Sequence, residues 1–245
     1  MYSYENIRQK VITMSIAEKE KYYLEIIEKH EANGVEFFTS HGIIIDPQVK
    51  IGKGTQILPG TILRGETEIG ENCVIGPNSM LTDCKVGDGV VFNASQGTES
   101  VVEDGAKIGP FTQLRPNSHI CKKVKIGDFV EVKNSTIGEG TSISHLTYVG
   151  DSDVGKHVNF GCGVVTVNYD GASKNRTTIG DYAFIGCNTN LIAPVKVGNG
   201  AYTAAGSTVT QDVPDGDLAV ARARQENKSG WAEKKLKGYI EKHSK

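Results

Sequence analysis

The residues of this chain best suited to chemistry are few, and several sit where an otherwise regular pattern is broken. His145 lies in SISHLTYVGD, with Tyr148 three residues after it. A neutral imidazole is the usual general base near neutral pH, so His145 is the candidate proton acceptor. A lone histidine is more often incidental, and His30, His41, His119, His157 and His243 have no comparable company. Arg115 follows Leu114 in QLRPNS, and Lys133 follows Val132 in FVEVKNS, eighteen residues further on. Two cations brought to one spot repel unless an anion joins them, which points to a phosphate or carboxylate ligand. The alternative is that both stems merely cover the surface. Asn159 in HVNFGCG and Asn168-Tyr169 in VNYDG add amide and phenol groups. No Ser–His or Cys–His pairing is evident, which argues against a covalent enzyme intermediate.

What must position these residues is a repeat of six. Aliphatic residues recur at Ile45, Ile51, Ile57, Leu63, Ile69, Ile75 and Leu81, then at Val102, Ile108, Leu114, Ile120, Ile126 and Val132. A third run is Ile179, Ile185, Leu191 and Val197. Four residues after each aliphatic of the first run stands a mostly small one: Val49, Thr55, Thr61, Thr67, Cys73 and Ser79. A helix repeats at about 3.6 and a strand at 2. A period of six fits a short strand plus a turn, the hexapeptide unit of a parallel β-helix. Three units close one coil, and the aliphatics stack at roughly the 4.8 Å strand spacing. The expected fold is therefore an all-β solenoid, on which Arg115 and Lys133, three sixes apart, share a side of adjacent coils.

The expected organisation is a helical segment over residues 1–42, coils over 43–213 and a tail over 214–245. Ser15 and Glu18 form a capping box that opens a helix to about His30, with Ile16, Tyr23 and Ile27 on one stripe, covering an end of the solenoid. Residues 93–100 blur the repeat and read as a loop or distorted coil. The insertion 167–178, VNYDGASKNRTT, reads as a loop projecting from a corner. After Pro214-Asp215-Gly216 come a strand-like LAVARAR and a basic helix over roughly 230–243, with Trp231, Leu236, Tyr239 and Ile240 packing on the coils or on a neighbouring subunit.

Composition narrows the function classes. A net charge of −2 gives no electrostatic case for nucleic acid. No long apolar run offers a membrane span, and the first ten residues lack a signal-peptide core, so a soluble cytoplasmic protein is expected. The five cysteines form no C-x-x-C pair, which favours reduced thiols over disulfides or zinc. A zinc hydratase on this fold would need three converging histidines. His145 and His157 are twelve apart, but no His-x4-His pair accompanies them. A non-catalytic scaffold remains the other class.

The strings IGPFTQLRPNS, IGDFVEVKNSTIGEGTSISHLTYVGDSDVGKHVNFGCG, TVNYDGASKNRTTIGDYAFIG and APVKVGNGAYTAAGSTVTQDVP carry a closer resemblance. From about His30 to Gly230 the chain resembles the C-terminal acetyltransferase domain of the bacterial bifunctional N-acetylglucosamine-1-phosphate uridyltransferase/glucosamine-1-phosphate acetyltransferases. The resemblance implies a left-handed β-helix and a homotrimer with sites between subunits. It also implies acetyl transfer from acetyl-CoA to the amine of glucosamine-1-phosphate, for UDP-N-acetylglucosamine and cell-wall precursors, with another amino-sugar phosphate as the alternative acceptor. Acetyl transfer in that family needs no metal. Residue by residue, it makes His145 the base and gives the sugar phosphate to Arg115 and Lys133. Tyr148 and Asn159 would hold the sugar, and Lys174 would reach substrate across a subunit boundary. Asn168 and Tyr169 would line the acetyl and pantetheine end of the coenzyme, and Cys162, Cys187, Ala205 and Arg222 would complete its site. Cys162 and Cys187 stand where the family usually has Ala and Ser, positions at which main-chain groups can serve. With only about 43 residues before the coils and no Gly-rich nucleotide motif among them, uridyl transfer is expected to fall to another protein.

Overall fold

The hexapeptide unit folds as its period requires. In the computed structural model, which describes residue 9 and residues 11–244, the coils are built from strands of two to four residues. Strands pair in parallel three apart in chain order, except that the last, Leu218–Ala219, pairs with the strand two before it, giving three sheets of eleven, ten and nine strands. We call them the first, second and third faces, in the order each coil meets them. The inward aliphatics stack in register: Ile126 pairs with Ile143 on the first face, and Leu114 with Val132 and Val132 with Val149 on the second. Ile57, Leu63, Ile75, Leu81, Leu114, Val132 and Ile143 are at most 1% exposed, so the core is a continuous aliphatic column.

The small residues at the fourth position after each aliphatic have a reason to be small and polar. Thr55, Thr61, Thr67 and Ser79 are fully buried beside the corners. Their hydroxyls donate to backbone carbonyls, Thr55 to Gly70 at 2.8 Å and Thr61 to Leu58 at 2.7 Å. Those two carbonyls receive no backbone N–H, so the hydroxyls satisfy acceptors that the change of direction leaves unpaired.

Residues 93–100 are not the loop that the blurred repeat suggests. Phe92 lies in register between Ile75 and Ile108, and Gly97 between Leu81 and Leu114. The two exchange volume. Phe92 is fully buried, and a methyl on Gly97 would stand 2.8 Å from Leu81 Cδ2 and 3.5 Å from Phe92 Cζ. The ring fills the space that an aliphatic at position 97 would occupy, so the coil stays regular although the sequence repeat does not.

Ser15 caps helix α1 (Ile16–Ala32) with the full capping box, and Asn33 ends it. Ile27 is buried against the first coils and Tyr23 is half-buried, but Ile16 is 76% exposed, so the expected stripe is engaged only in part. The ladder begins at Glu36–Phe37, which pairs with Gln56–Ile57, and its last strand is Leu218–Ala219. Of the strand-like LAVARAR, therefore, only these two residues form a strand, although Ala221 O also accepts the Thr208 N–H. Helix α2 (Trp231–His243) contains no buried residue. Trp231, Leu236, Tyr239 and Ile240 are each about half exposed or more, so they do not pack on the coils of their own chain. No described helix is long and apolar enough to cross a membrane.

Candidate active site

His145 ends the strand Ser142–His145 on the first face, where the chain turns toward the second. Asp128 occupies the same place one coil earlier and pairs with it in register. Their side chains meet, Nδ1 to Oδ1, at 2.5 Å. This hydrogen bond is the main reason the Asp128 carboxyl is held below the usual aspartate range. An ionised Asp128 can only accept, so Nδ1 donates and Nε2 carries the free lone pair. The imidazole remains 58% exposed, with room at Nε2 for a substrate.

The same corner continues as a column. Phe160 pairs with Ile185, and Ile185 with Thr203, which stacks Cys162, Cys187 and Ala205 beyond His145. Backbone bonds tie the column together, Gly163 N–H to His145 O, Asn188 N–H to Cys162 O and Gly206 N–H to Cys187 O. Arg222 closes it: a methyl on Gly206 would lie 3.8 Å from Arg222 Cδ. From His145 to Ala205 the column climbs three coils, roughly 14 Å at the strand spacing.

The second face, beside this corner, carries charge. Arg115 stacks on Lys133, as the eighteen-residue spacing requires, since Leu114 pairs with Val132. Arg115 is not a bare cation, because its Nη1 lies 2.7 Å from Oε1 of Glu131. Lys133 has a cationic neighbour. That neighbour is Lys174, whose proximity, followed by desolvation, holds Lys133 below the ordinary lysine range. Lys174 thus lies beside its own chain's Lys133. Burial pushes Asp151 up. The amides of Asn134 and Asn168, with the charges of Lys133 and Lys174, outweigh it and hold this 5%-exposed carboxylate ionised. Three cations thus face two carboxylates on one side of the solenoid.

Not every expected residue joins this group within one chain. Asn168 is buried at the corner between the second and third faces, bonded to Asp151 and to the hydroxyl of Tyr148, across the second face from the His145 column. Tyr169 is 57% exposed at the base of the inserted loop, its hydroxyl bonded to Gly171 O. That loop is shaped by Asp170, which accepts from the Ala172 and Ser173 N–H groups at 2.8 and 2.6 Å, and by an antiparallel bridge of Tyr169 to Lys174. Asn159 stands out from the first face, around the corner from Tyr148. His157 stacks on Tyr182 at a different corner from His145, so the histidines do not build a three-histidine zinc site among the described residues.

Asp128, Glu131 and Asp151 escaped the sequence reading. They were within its reach, because the coil from Val132 to Val149 is one residue short. An offset of seventeen, not eighteen, places Asp128 under His145 and Asn134 under Asp151.

Sequence comparisons agree with this architecture. The bacterial transferase hexapeptide model (six repeats) matches residues 48–83 and 176–211. The bifunctional protein GlmU of Clostridium kluyveri is 51% identical over 223 residues, covering 91% of this chain and 49% of that protein. The bifunctional protein GlmU of Caldanaerobacter subterraneus subsp. tengcongensis is 57% identical over 212 residues, 86% of this chain and 46% of that protein. A solved Arabidopsis UDP-N-acetylglucosamine acyltransferase has the same fold, with a TM-score of 0.52 at 18% identity over 75% of this chain and 66% of that one. Fold and repeat define a hexapeptide-transferase β-solenoid. Within that class the chain is similar to the bifunctional GlmU proteins, at 51–57% identity. It spans about half the length of the curated relatives it matches.

Proposed function

We propose that this chain transfers an acetyl group from acetyl-CoA to the amine of glucosamine-1-phosphate, giving N-acetylglucosamine-1-phosphate. The observation that carries the reading is the pairing of two unlike devices at one edge of the solenoid. An oriented imidazole with a free Nε2 stands at the corner, and beside it Lys133 and Lys174 lie close together, with the Asp151 carboxylate in the field of both. A sugar phosphate with an amine answers both. Its phosphate relieves the Lys133–Lys174 repulsion, with Arg115 as third donor, and its amine is delivered toward His145.

His145 Nε2 takes a proton from the amine as nitrogen bonds to the thioester carbonyl carbon, and Asp128 steadies the imidazolium that forms. Main-chain N–H groups of the corner bind the developing oxyanion. On collapse the carbon–sulfur bond breaks, and His145 returns the proton to the departing thiolate. Tyr148 and Asn159 bind the sugar ring. The column of Cys162, Cys187 and Ala205 cradles the pantetheine arm in its main chain, and Arg222 meets a coenzyme phosphate.

Asn168 and Tyr169 lie across the second face from that column, and a flat side leaves bound substrate half in water. A second chain laid against the corner would bring Asn168 and Tyr169 to the acetyl end and exclude solvent. The reading is therefore a homotrimer with three shared sites closed by head-to-tail contacts. Coenzyme A release, measured with acetyl-CoA against a panel of amino sugars with and without phosphate, tests the assignment. Glucosamine-1-phosphate should be the best acceptor. Preference for an unphosphorylated sugar would overturn the phosphate site, and preference for another amino-sugar phosphate would move only the acceptor.

A further inference from the structure

A column of glycines runs along the corner between the third and first faces, opposite the second face. Successive coils place Gly52, Gly70 and Gly87 there, then Gly138, Gly155, Gly180 and Gly198. The reason is steric: a methyl on Gly52 would lie 2.5 Å from the Gly70 backbone, and one on Gly138 2.4 Å from Gly155 O. Two consecutive coils break the column, with Glu103 and Cys121 in the glycine positions. Both bear groups that bind metals.

His119 completes the set. It lies two residues before Cys121, so the strand alternation puts both outside with Ile120 between them, buried. Glu103 sits under Cys121, its N–H bonded to Ile120 O. Nε2 of His119 lies 2.7 Å from Oε1 of Glu103, and one ligand atom from each of the three residues falls within 4.8 Å of the others. No other such group occurs among the described residues. The second oxygen of Glu103 is held by the Lys122 N–H at 3.1 Å, which fixes the carboxylate with Oε1 toward the histidine. His119 therefore does have company, brought by the coils from positions that the sequence keeps apart.

We infer that Glu103, His119 and Cys121 form a zinc-binding site that clips two adjacent coils together. Thiolate, imidazole and carboxylate are a zinc-type donor set, with water left for the fourth tetrahedral position. Tetrahedral ligands stand roughly 3.2–3.7 Å apart, so Oε1 and Nε2 need to part slightly and Sγ to close in. On binding, the zinc–sulfur bond replaces the Cys121 S–H bond and the proton leaves to solvent. The site lies on the far side of the coil from the His145 and Lys133 groups, so it is structural and independent of the acyl-transfer reading.

Cobalt(II) titration of the reduced full-length protein tests this. One ion per chain should bind with a thiolate-to-metal band in the near ultraviolet and tetrahedral bands in the visible, and zinc should displace it. Cys121→Ser should abolish the thiolate band, and His119→Gln or Glu103→Gln should weaken binding by at least about tenfold, the lower range even for losing an outer ligand partner. Zinc should raise the unfolding temperature of the parent and leave that of Cys121→Ser unchanged. Cys121→Gly and Glu103→Gly restore the residue that the column carries elsewhere, so they read the same loss in a coil that still folds. Absence of a stoichiometric thiolate band, or a band that survives Cys121→Ser or Cys121→Gly, overturns the site.

Discussion

Asp128 accepts a 2.5 Å hydrogen bond from Nδ1 of His145, across one coil of the solenoid. The bond selects the tautomer in which Nε2 can receive a proton. Replacing His145 with Ala should lower kcat about 10²–10⁴-fold, the range for losing a positioned base. Asp128→Asn keeps the shape but no longer demands a proton on Nδ1. It should cost about 10- to 100-fold in kcat, a part of the base's contribution, with little change in KM. Steady-state kinetics check both, and equal kcat in Asp128→Asn and parent would remove the positioning role.

Arg115, Lys133 and Lys174 should govern KM for the phosphorylated acceptor. Arg115→Ala removes a charge-assisted contact and should raise that KM by the equivalent of roughly 1.5–3 kcal/mol. KM for acetyl-CoA should be nearly unchanged. Unphosphorylated glucosamine should be a poor acceptor for parent and variant alike, and equal use of both sugars by the parent contradicts the assignment.

The Lys133–Lys174 contact also predicts a pH effect. Lys133 binds an anion only when protonated, and Lys174 holds its pKa below the usual value. Affinity for the sugar phosphate should therefore fall, as pH rises, earlier than an ordinary lysine would allow. In Lys174→Ala the repelling charge is gone, the Lys133 pKa rises, and the alkaline loss should move to higher pH even though overall affinity drops. A pH series of kcat/KM for parent and variant reads the displacement, and an unmoved alkaline limb would show that the two ammoniums are not coupled.

The shared site predicts a trimer by light scattering, with any dissociated monomer inactive. His145→Ala chains and Tyr169→Ala chains should each be nearly dead. Remixed in equal amounts, they should regain about a quarter of parental activity, since random head-to-tail contacts rebuild one intact site in four. No recovery on remixing, with both variants still trimeric, would place His145 and Tyr169 in the same chain's site.

Core packing gives the fifth test. Phe92→Ala should destabilise by about 3–5 kcal/mol through the cavity it leaves, and Gly97→Ala by about 1–3 kcal/mol through the contact with Leu81. Because ring and glycine share one volume, Phe92→Ala with Gly97→Val should be less damaging than the sum of the two changes alone. Urea midpoints measure the difference, and strict additivity would mean that the two residues do not share that volume.

The period of six was enough to determine the solenoid, its inward residues and the stacking of Arg115 on Lys133, because each coil touches only its neighbours and register follows from counting. The resemblance named His145, Tyr148 and the coenzyme column, and the sequence carried the capped helix and the inserted loop as well. Three things needed the folded chain. That Asp128 lies under His145 could be counted from the one-residue-short coil, but that their side chains meet needed the folded chain. Lys174 turned toward its own Lys133 because the loop folds back on Asp170 and on the bridge to Tyr169, and no periodicity reaches an insertion. Glu103, His119 and Cys121 looked like an ordinary acid, an isolated histidine and an unpaired thiol until three dimensions stacked one coil on the next. A sequence orders side chains along one line, whereas chemistry depends on which of them the coil brings within a few ångströms.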